Sequence, residues 1–213
     1  MSARRRIVAA VGAVGVVAML AACTPADPEP TASPMPYTAP AIVGDTVSAS
    51  PLEADEWVVA ARAGMLGFVL ASNAADFSID PFVSAVTPEA ATTWFEHWSS
   101  RSVGTDRPPL TWPGPQVVLP LAVDLMDGDG DRATVRFCNG SDYWQAEDAS
   151  ALADGVEASA VLVRTEAGIR LESTTSSAIP CDATGAAIGR FDPAPEPLGV
   201  LTEADVVPPP NAG

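Results

Sequence analysis

Apolar positions along the chain change their spacing twice. After residue 50, Val58, Ala61, Met65, Phe68 and Val69 recur three and four residues apart, with Trp57 and Leu66 beside them. That spacing predicts a helix with a wide apolar face. Ser50 as cap, Pro51 in the first turn and Glu53 three residues after the cap set its start near Pro51. The pattern fades near Ala74. Gly64 and Gly67 weaken this helix and permit close approach of a sheet. Residues 76–86 read as a loop with a short helical turn. Thr87, Pro88 and Glu89 mark the start of a second helix, with Ala91, Trp94, Phe95 and Trp98 on its apolar face. Four prolines between 105 and 115 then make a connector.

Beyond the connector the period falls to two. Val117, Leu119, Leu121, Val123 and Leu125 alternate along one strand, and Pro120 within it demands an edge position or a bulge. Asp127-Gly128-Asp129-Gly130-Asp131 makes a turn, and Ala133, Val135 and Phe137 alternate on the return towards Cys138. A polar loop, 139–155, carries Tyr143 and Trp144. A second hairpin follows. Val156, Ala158, Ala160 and Leu162 form one strand, Glu166-Ala167-Gly168 turns, and Ile169 and Leu171 return towards Cys181. Helices followed by antiparallel strands indicate an α+β class, with N-terminal helices packed on a curved antiparallel sheet. No internal repeat is visible.

The ends lack an apolar period. Residues 24–49 hold six prolines among Ala, Ser and Thr. Such a semi-extended tether could reach at most roughly 80 Å. Residues 191–213, with Pro208-Pro209-Pro210, read as a loose C-terminal tail. At the start, Arg4, Arg5 and Arg6 precede an uncharged apolar run, 7–20, that is short for a membrane span. Leu20-Ala21-Ala22-Cys23 follows and resembles the lipobox of bacterial lipoprotein signal peptides. The resemblance implies cleavage before Cys23 and acylation of its thiol, which would hold the chain to the extracytoplasmic face of the cell membrane. An ordinary signal peptide with a coincidental Cys and an uncleaved anchor are the alternatives. The expected division is therefore a signal peptide at 1–22, lipidated Cys23 and tether at 23–50, a domain at 51–190 and a tail at 191–213.

Charge narrows the partners. Three of the 11 basic residues lie in the first 22, and all 27 acidic residues lie beyond them, leaving a net charge of −19 after cleavage. Every basic residue is Arg. With no basic stripe to neutralise phosphates, nucleic acid is not expected as a partner. Acidity also disfavours lying flat on anionic lipid, and the tether would hold the domain off that surface. A cationic partner fits the charge, although acidity also serves solubility. The Ala-, Gly- and Pro-rich, Lys-free composition suggests a GC-rich genome, such as an actinobacterium's.

With Cys23 committed to lipid, Cys138 and Cys181 remain, and two thiols outside the membrane usually pair. The other reading of Cys138, a catalytic nucleophile, requires a nearby base. His97 is the only histidine, so neither a His-rich zinc site nor a Ser-His-Asp set can be assembled around it, and it reads as a helix-surface residue. Asp127, Asp129 and Asp131 match the first three ligands of a calcium loop. The positions that need Gly and Glu hold Arg132 and Cys138 instead, so no metal is expected. Asn139-Gly140-Ser141 fits a glycosylation acceptor by pattern alone. For an acid–base site, Asp76, Asp80 and Asp124 are the carboxylates to consider, and none stands out. No catalytic residue and no cofactor are assigned.

The order of elements over 51–182 is similar to that of the NTF2-like (cystatin-like) superfamily. The strand Gly130-Asp131-Arg132-Ala133-Thr134-Val135 leading to Cys138 looks like segments of small actinobacterial lipoproteins of that kind. The long 139–155 loop departs from that order. The resemblance implies helices over a curved sheet enclosing a cone-shaped cavity. Because that superfamily serves isomerases, dehydratases and binding modules alike, the fold alone does not assign a role. The expectation is a non-catalytic envelope lipoprotein that contacts an envelope protein or component. The alternative is a small-molecule-binding domain, or an isomerase or hydratase, with a buried carboxylate or Tyr in the cavity.

Overall fold

The computed structural model describes residues 37–44, 47–126, 128, 130–140 and 154–210. Residues from Tyr37 onward form one compact unit. Its order is β1 (Ala41–Gly44), a 3-10 turn (Pro51–Ala54), α1 (Glu56–Ala74), α2 (Asp80–Val83) and α3 (Pro88–Ser102). There follow β2 (Val118–Leu125), β3 (Arg132–Gly140), β4 (Asp154–Thr165), β5 (Gly168–Asp182) and β6 (Gly189–Asp192), then a 3-10 turn (Glu203–Asp205). The class is α+β. Strands β2-β3-β4-β5 form an antiparallel meander, and β1 pairs with β6 in a separate two-stranded sheet.

The helix that the pattern predicts from Pro51 divides in two. Ser50 Oγ accepts from Leu52 N at 3.3 Å and caps the 3-10 turn, whereas Asp55 Oδ1 caps α1 by accepting from Trp57 N at 2.8 Å. Glu53 does not close a capping box. It accepts from Ser48 N at 3.1 Å and from Arg62 Nε at 2.8 Å. Arg62 also donates to Val118 O at 2.9 Å, and Ser50 Oγ donates to Pro120 O at 2.9 Å. Two carbonyls of the edge strand β2 thus receive side-chain donors, which blunts an otherwise open edge. Helix α1 ends at Ala74, where Ala75 takes a left-handed φ of 51°. Thr87 caps α3 as its sequence suggests, its Oγ1 accepting from Ala90 N at 3.2 Å.

By length and composition α1 could cross a membrane. Here its Trp57, Val58, Ala61, Met65, Val69, Leu70 and Ala71 are buried in the core. Gly64 sits over Leu171 of β5, where a Cβ would lie 2.6 Å from Leu171 Cδ2. Gly67 faces α2 rather than the sheet, where a Cβ would lie 2.4 Å from Pro81 O. Beneath α1 and α3, Phe77 is fully buried and packs edge-on against Phe68, Phe82 and Phe95.

Alternation along β2 holds only in part. The register slips between Pro120 and Ala122, so residues on either side of the bulge reverse faces. Leu121 and Leu125 are exposed instead of buried. Leu121 lies at the slip beside Pro120, which cannot donate to the ladder, whereas Leu125 pairs with buried Ala133 at the end of the strand.

Where a loose tether and tail are expected, the described residues 41–44 and parts of 191–210 are docked. Ile42 pairs with Phe191 and Ala41 with Asp192. Past the last strand, Val207 N donates to Ala75 O at 3.0 Å, Phe77 N to Val207 O at 2.8 Å and Gly104 N to Leu201 O at 3.0 Å. Leu201 and Phe191 are buried. Prolines in these segments remove donors, but the residues between them supply enough apolar side chains and backbone pairs to dock both segments. The folded unit therefore exceeds 51–190 at both ends.

Cys138 and Cys181 are joined by a disulfide. They lie on β3 and β5, with β4 between them, yet their Cα atoms are only 5.8 Å apart. Flat neighbouring strands would put two such positions nearly twice that distance apart. β5 carries a bulge between the partners of Val156 and Ala158, and its pairing with β4 resumes through Gly155 and Cys181. Gly155 lies under the bridge, where a Cβ would come 2.6 Å from Cys138 Sγ.

Candidate functional site

The sheet face under the helices carries two kinds of residue. At one end Leu162, Leu171, Ala133 and Val135 are buried, and the missing side chain at Gly64 lets α1 settle on Leu171. At the other end the registered positions are small: Ala160 pairs with Thr174, and Ala158 pairs with Ser176. Small side chains there leave a cavity of about 560 Å³ under α1 and α3. That volume falls within the range of ordinary small-molecule sites.

The floor is apolar and buried: Met65 from α1, Val117 and Val118 leading into β2, Phe137 from β3 and Ala160 from β4. Phe68, Trp94 and Trp112 form aromatic walls. Trp94 sits edge-on to Phe68 with ring centres 5.1 Å apart. Trp112 is fixed through its backbone by Asn73 near the end of α1. Asn73 Nδ2 donates to Trp112 O and Asn73 Oδ1 accepts from Trp112 N, both at 2.8 Å. Around the mouth stand Thr93, His97, Gln116, Asn139, Thr174 and Ser176.

No Asp, Glu, Lys, Arg or Tyr lines this cavity among the described residues. Asp124 lies exposed on the opposite face of the sheet, 3.3 Å from Arg136 Nε. Asp76 accepts from Ser78 N at 2.9 Å, and Asp80 opens the short helix α2. None of the three carboxylates considered for acid–base chemistry reaches the cavity. His97, read as a helix-surface residue, is exposed but stands at the cavity mouth. Cys138 is committed to the disulfide, which removes it as a nucleophile. Among the described residues no three His, Cys, Asp or Glu side chains gather closely enough to hold a metal. Cys23, Asp127, Asp129, Ser141, Tyr143 and Trp144 lie outside the described residues.

Two partly buried groups outside the cavity, Tyr37 and Glu53, are among those with displaced titrations. Burial, seconded by the charge of Asp76, pushes the Tyr37 hydroxyl above its usual range. Glu53 is lowered. Burial alone would raise it, but the Arg62 guanidinium and the Ser48 hydroxyl together outweigh that effect.

A cavity was implied by the resemblance alone, and the residues that line it were not legible in the sequence. Trp57 and Trp98 are core residues, whereas Trp94 and Trp112 line the cavity. The available signal was the run of small residues, Ala158, Ala160, Thr174 and Ser176, at core-facing positions of a sheet. No family model matches the chain, and no curated protein or solved structure matches it either.

Proposed function

We propose that this chain is an extracytoplasmic lipoprotein, anchored through acylated Cys23, whose NTF2-like α+β domain binds a small molecule without transforming it. The observation that carries the reading is the cavity of about 560 Å³, walled by aromatic and neutral polar side chains. General acid–base catalysis needs a proton donor or acceptor within reach of the ligand. Among the described residues, His97 at the rim is the sole titratable side chain in the lining, and no carboxylate lines the cavity with it to form an acid–base pair. The disulfide supports an oxidising compartment outside the cytoplasm.

Two measurements test the reading. Cys23→Ser should release the chain from the membrane fraction; retention in that fraction would sink the lipid anchor. For the cavity, Ala158→Trp places an indole inside it. Neutral compounds that raise the melting temperature of the parent but not of this variant are expected. A broad screen that yields none would sink the binding reading.

Contact with an envelope protein is a second reading. It is favoured by the exposed Leu121, Leu125 and Met126 along β2 and into its turn. Crosslinking from position 125 in intact cells should capture one discrete partner if that surface docks.

A further inference from the structure

We infer that the cavity takes an uncharged amphiphile: an apolar body or chain seated on the floor, with a hydroxyl- or amide-bearing head at the rim. The inference rests on the binding reading above and names its ligand class.

Three observations converge. First, among the described residues the lining holds no carboxylate or guanidinium group, in a chain with 27 acidic and 11 basic residues. An ionised ligand would surrender its hydration there with no opposite charge to receive it. Second, polarity is graded along the depth of the cavity. Met65, Val118, Phe137 and Ala160 at the floor are buried, whereas Thr93, Thr174 and Ser176 at the mouth are exposed. The mouth offers hydroxyls and the amides of Gln116 and Asn139, which both donate and accept hydrogen bonds and suit a neutral polar head.

Third, the floor continues. A smaller cavity of about 150 Å³ shares Met65, Gln116 and Val118 with the large one. Its remaining wall includes Ile42, Leu66, Pro115 and Ala187. Its one charged wall residue, Arg62, is already engaged by Glu53 and by Val118 O. Met65, one of the three shared wall residues, has an unbranched, readily rearranged side chain. A shift of Met65 would join them into an apolar channel, which favours a chain over a compact ring.

The test uses the complete chain carrying Cys23→Ser, which dispenses with detergent. N-phenyl-1-naphthylamine, a neutral fluorescent probe, is bound first. It is then displaced below their micelle concentrations by monolauroylglycerol, laurate and dodecylamine, which share one chain length and differ in head charge. Monolauroylglycerol should displace the probe at concentrations at least about tenfold lower than either charged competitor, because a buried unpaired charge costs well over one decade of affinity. Ala158→Trp should abolish probe binding. Thr174→Arg, at an exposed rim position, should shift the preference towards laurate.

Equal displacement by all three, or tighter binding of a charged one, overturns the ligand class and leaves the binding reading standing. Absence of cavity-dependent probe binding, whether no binding to the parent or equal binding to Ala158→Trp, overturns both. If Ala158→Trp fails to fold, the change of preference in Thr174→Arg decides; an unchanged order in that variant counts against the inference.

Discussion

Replacing Gly67 with Ala sets two magnitudes against each other. Ala is favoured over Gly in a helix interior by about 1 kcal/mol, so propensity alone predicts stabilisation. The new Cβ, however, would lie 2.4 Å from Pro81 O, 2.8 Å from Phe82 Cα and 3.0 Å from Pro81 C. All three are backbone atoms, and no side-chain rotation relieves them. Phe82 is fully buried against Phe77, so α2 cannot slide away without disturbing the aromatic cluster. Overpacking costs about 1–3 kcal/mol, and rigid neighbours place this case at the upper end. The expected net loss is about 2 kcal/mol, or a fall of roughly 4–8 °C in melting temperature for a unit of this size. Urea and thermal unfolding followed by near-ultraviolet circular dichroism would measure it, with Gly199→Ala as the control, since nothing lies within 4 Å of a Cβ there. Gly64→Ala should fall between the two, because the end of Leu171 can rotate aside although its Cβ, at 2.8 Å, cannot. A Gly67→Ala protein as stable as the parent, or more so, would refute the claimed approach of α2 to α1.

Cys181→Ala opens a loop of about 44 residues and should lower stability by about 4 kcal/mol in the chain-entropy account. Denaturant midpoints of this variant and of the parent under reducing conditions should agree; a parent indifferent to reductant would show that the bridge adds nothing. Glu53 gives a pH signature. Its carboxyl titrates below the ordinary glutamate range, so the stability it contributes is fully present above that range and is lost as pH falls through its folded value. The stability difference between the parent and Glu53→Gln should therefore shrink on acidification below about pH 4. A difference constant from neutral to acid would sink the assigned role of the Arg62–Glu53 pair.

What could be read from the sequence was whatever short-range periodicity encodes. Thr87-Pro88-Glu89 marked α3, and alternation at Ala133, Val135 and Phe137 marked the buried face of β3. Local signals failed where pairing is distant. Ile42 meets Phe191 across almost the whole domain, and neither segment shows an apolar period, because each contributes only a few residues to a surface completed by others. Prolines there suggested loose ends, yet Leu201 and Val207 needed only a few backbone bonds to dock. On β2, Pro120 signals an edge position or a bulge, and the strand has both. Before the slip Val118 and Pro120 are buried, the opposite parity to the expected one, and Leu121 stands at the slip itself.

The residues lining the cavity were illegible for a further reason: the space is made by what is missing. Its lining runs from Met65 to Ser176, and no window shorter than the domain contains it. A void of that size loses dispersion contacts along its whole surface, so its walls must be kept from collapsing inward. Two devices on separate elements supply that resistance. Asn73 clamps the Trp112 backbone through both the N–H and the oxygen of its side-chain amide, which braces one aromatic wall. The disulfide ties Cys138, whose neighbours Phe137 and Asn139 line the cavity, to the far end of β5 across Gly155. The bridge thereby holds β3 and β5 at a Cα separation of 5.8 Å next to the lining residues of β3. Covalent and hydrogen-bonded bracing around an unfilled space is what a preformed binding site requires, because a ligand then need not supply the free energy of opening it.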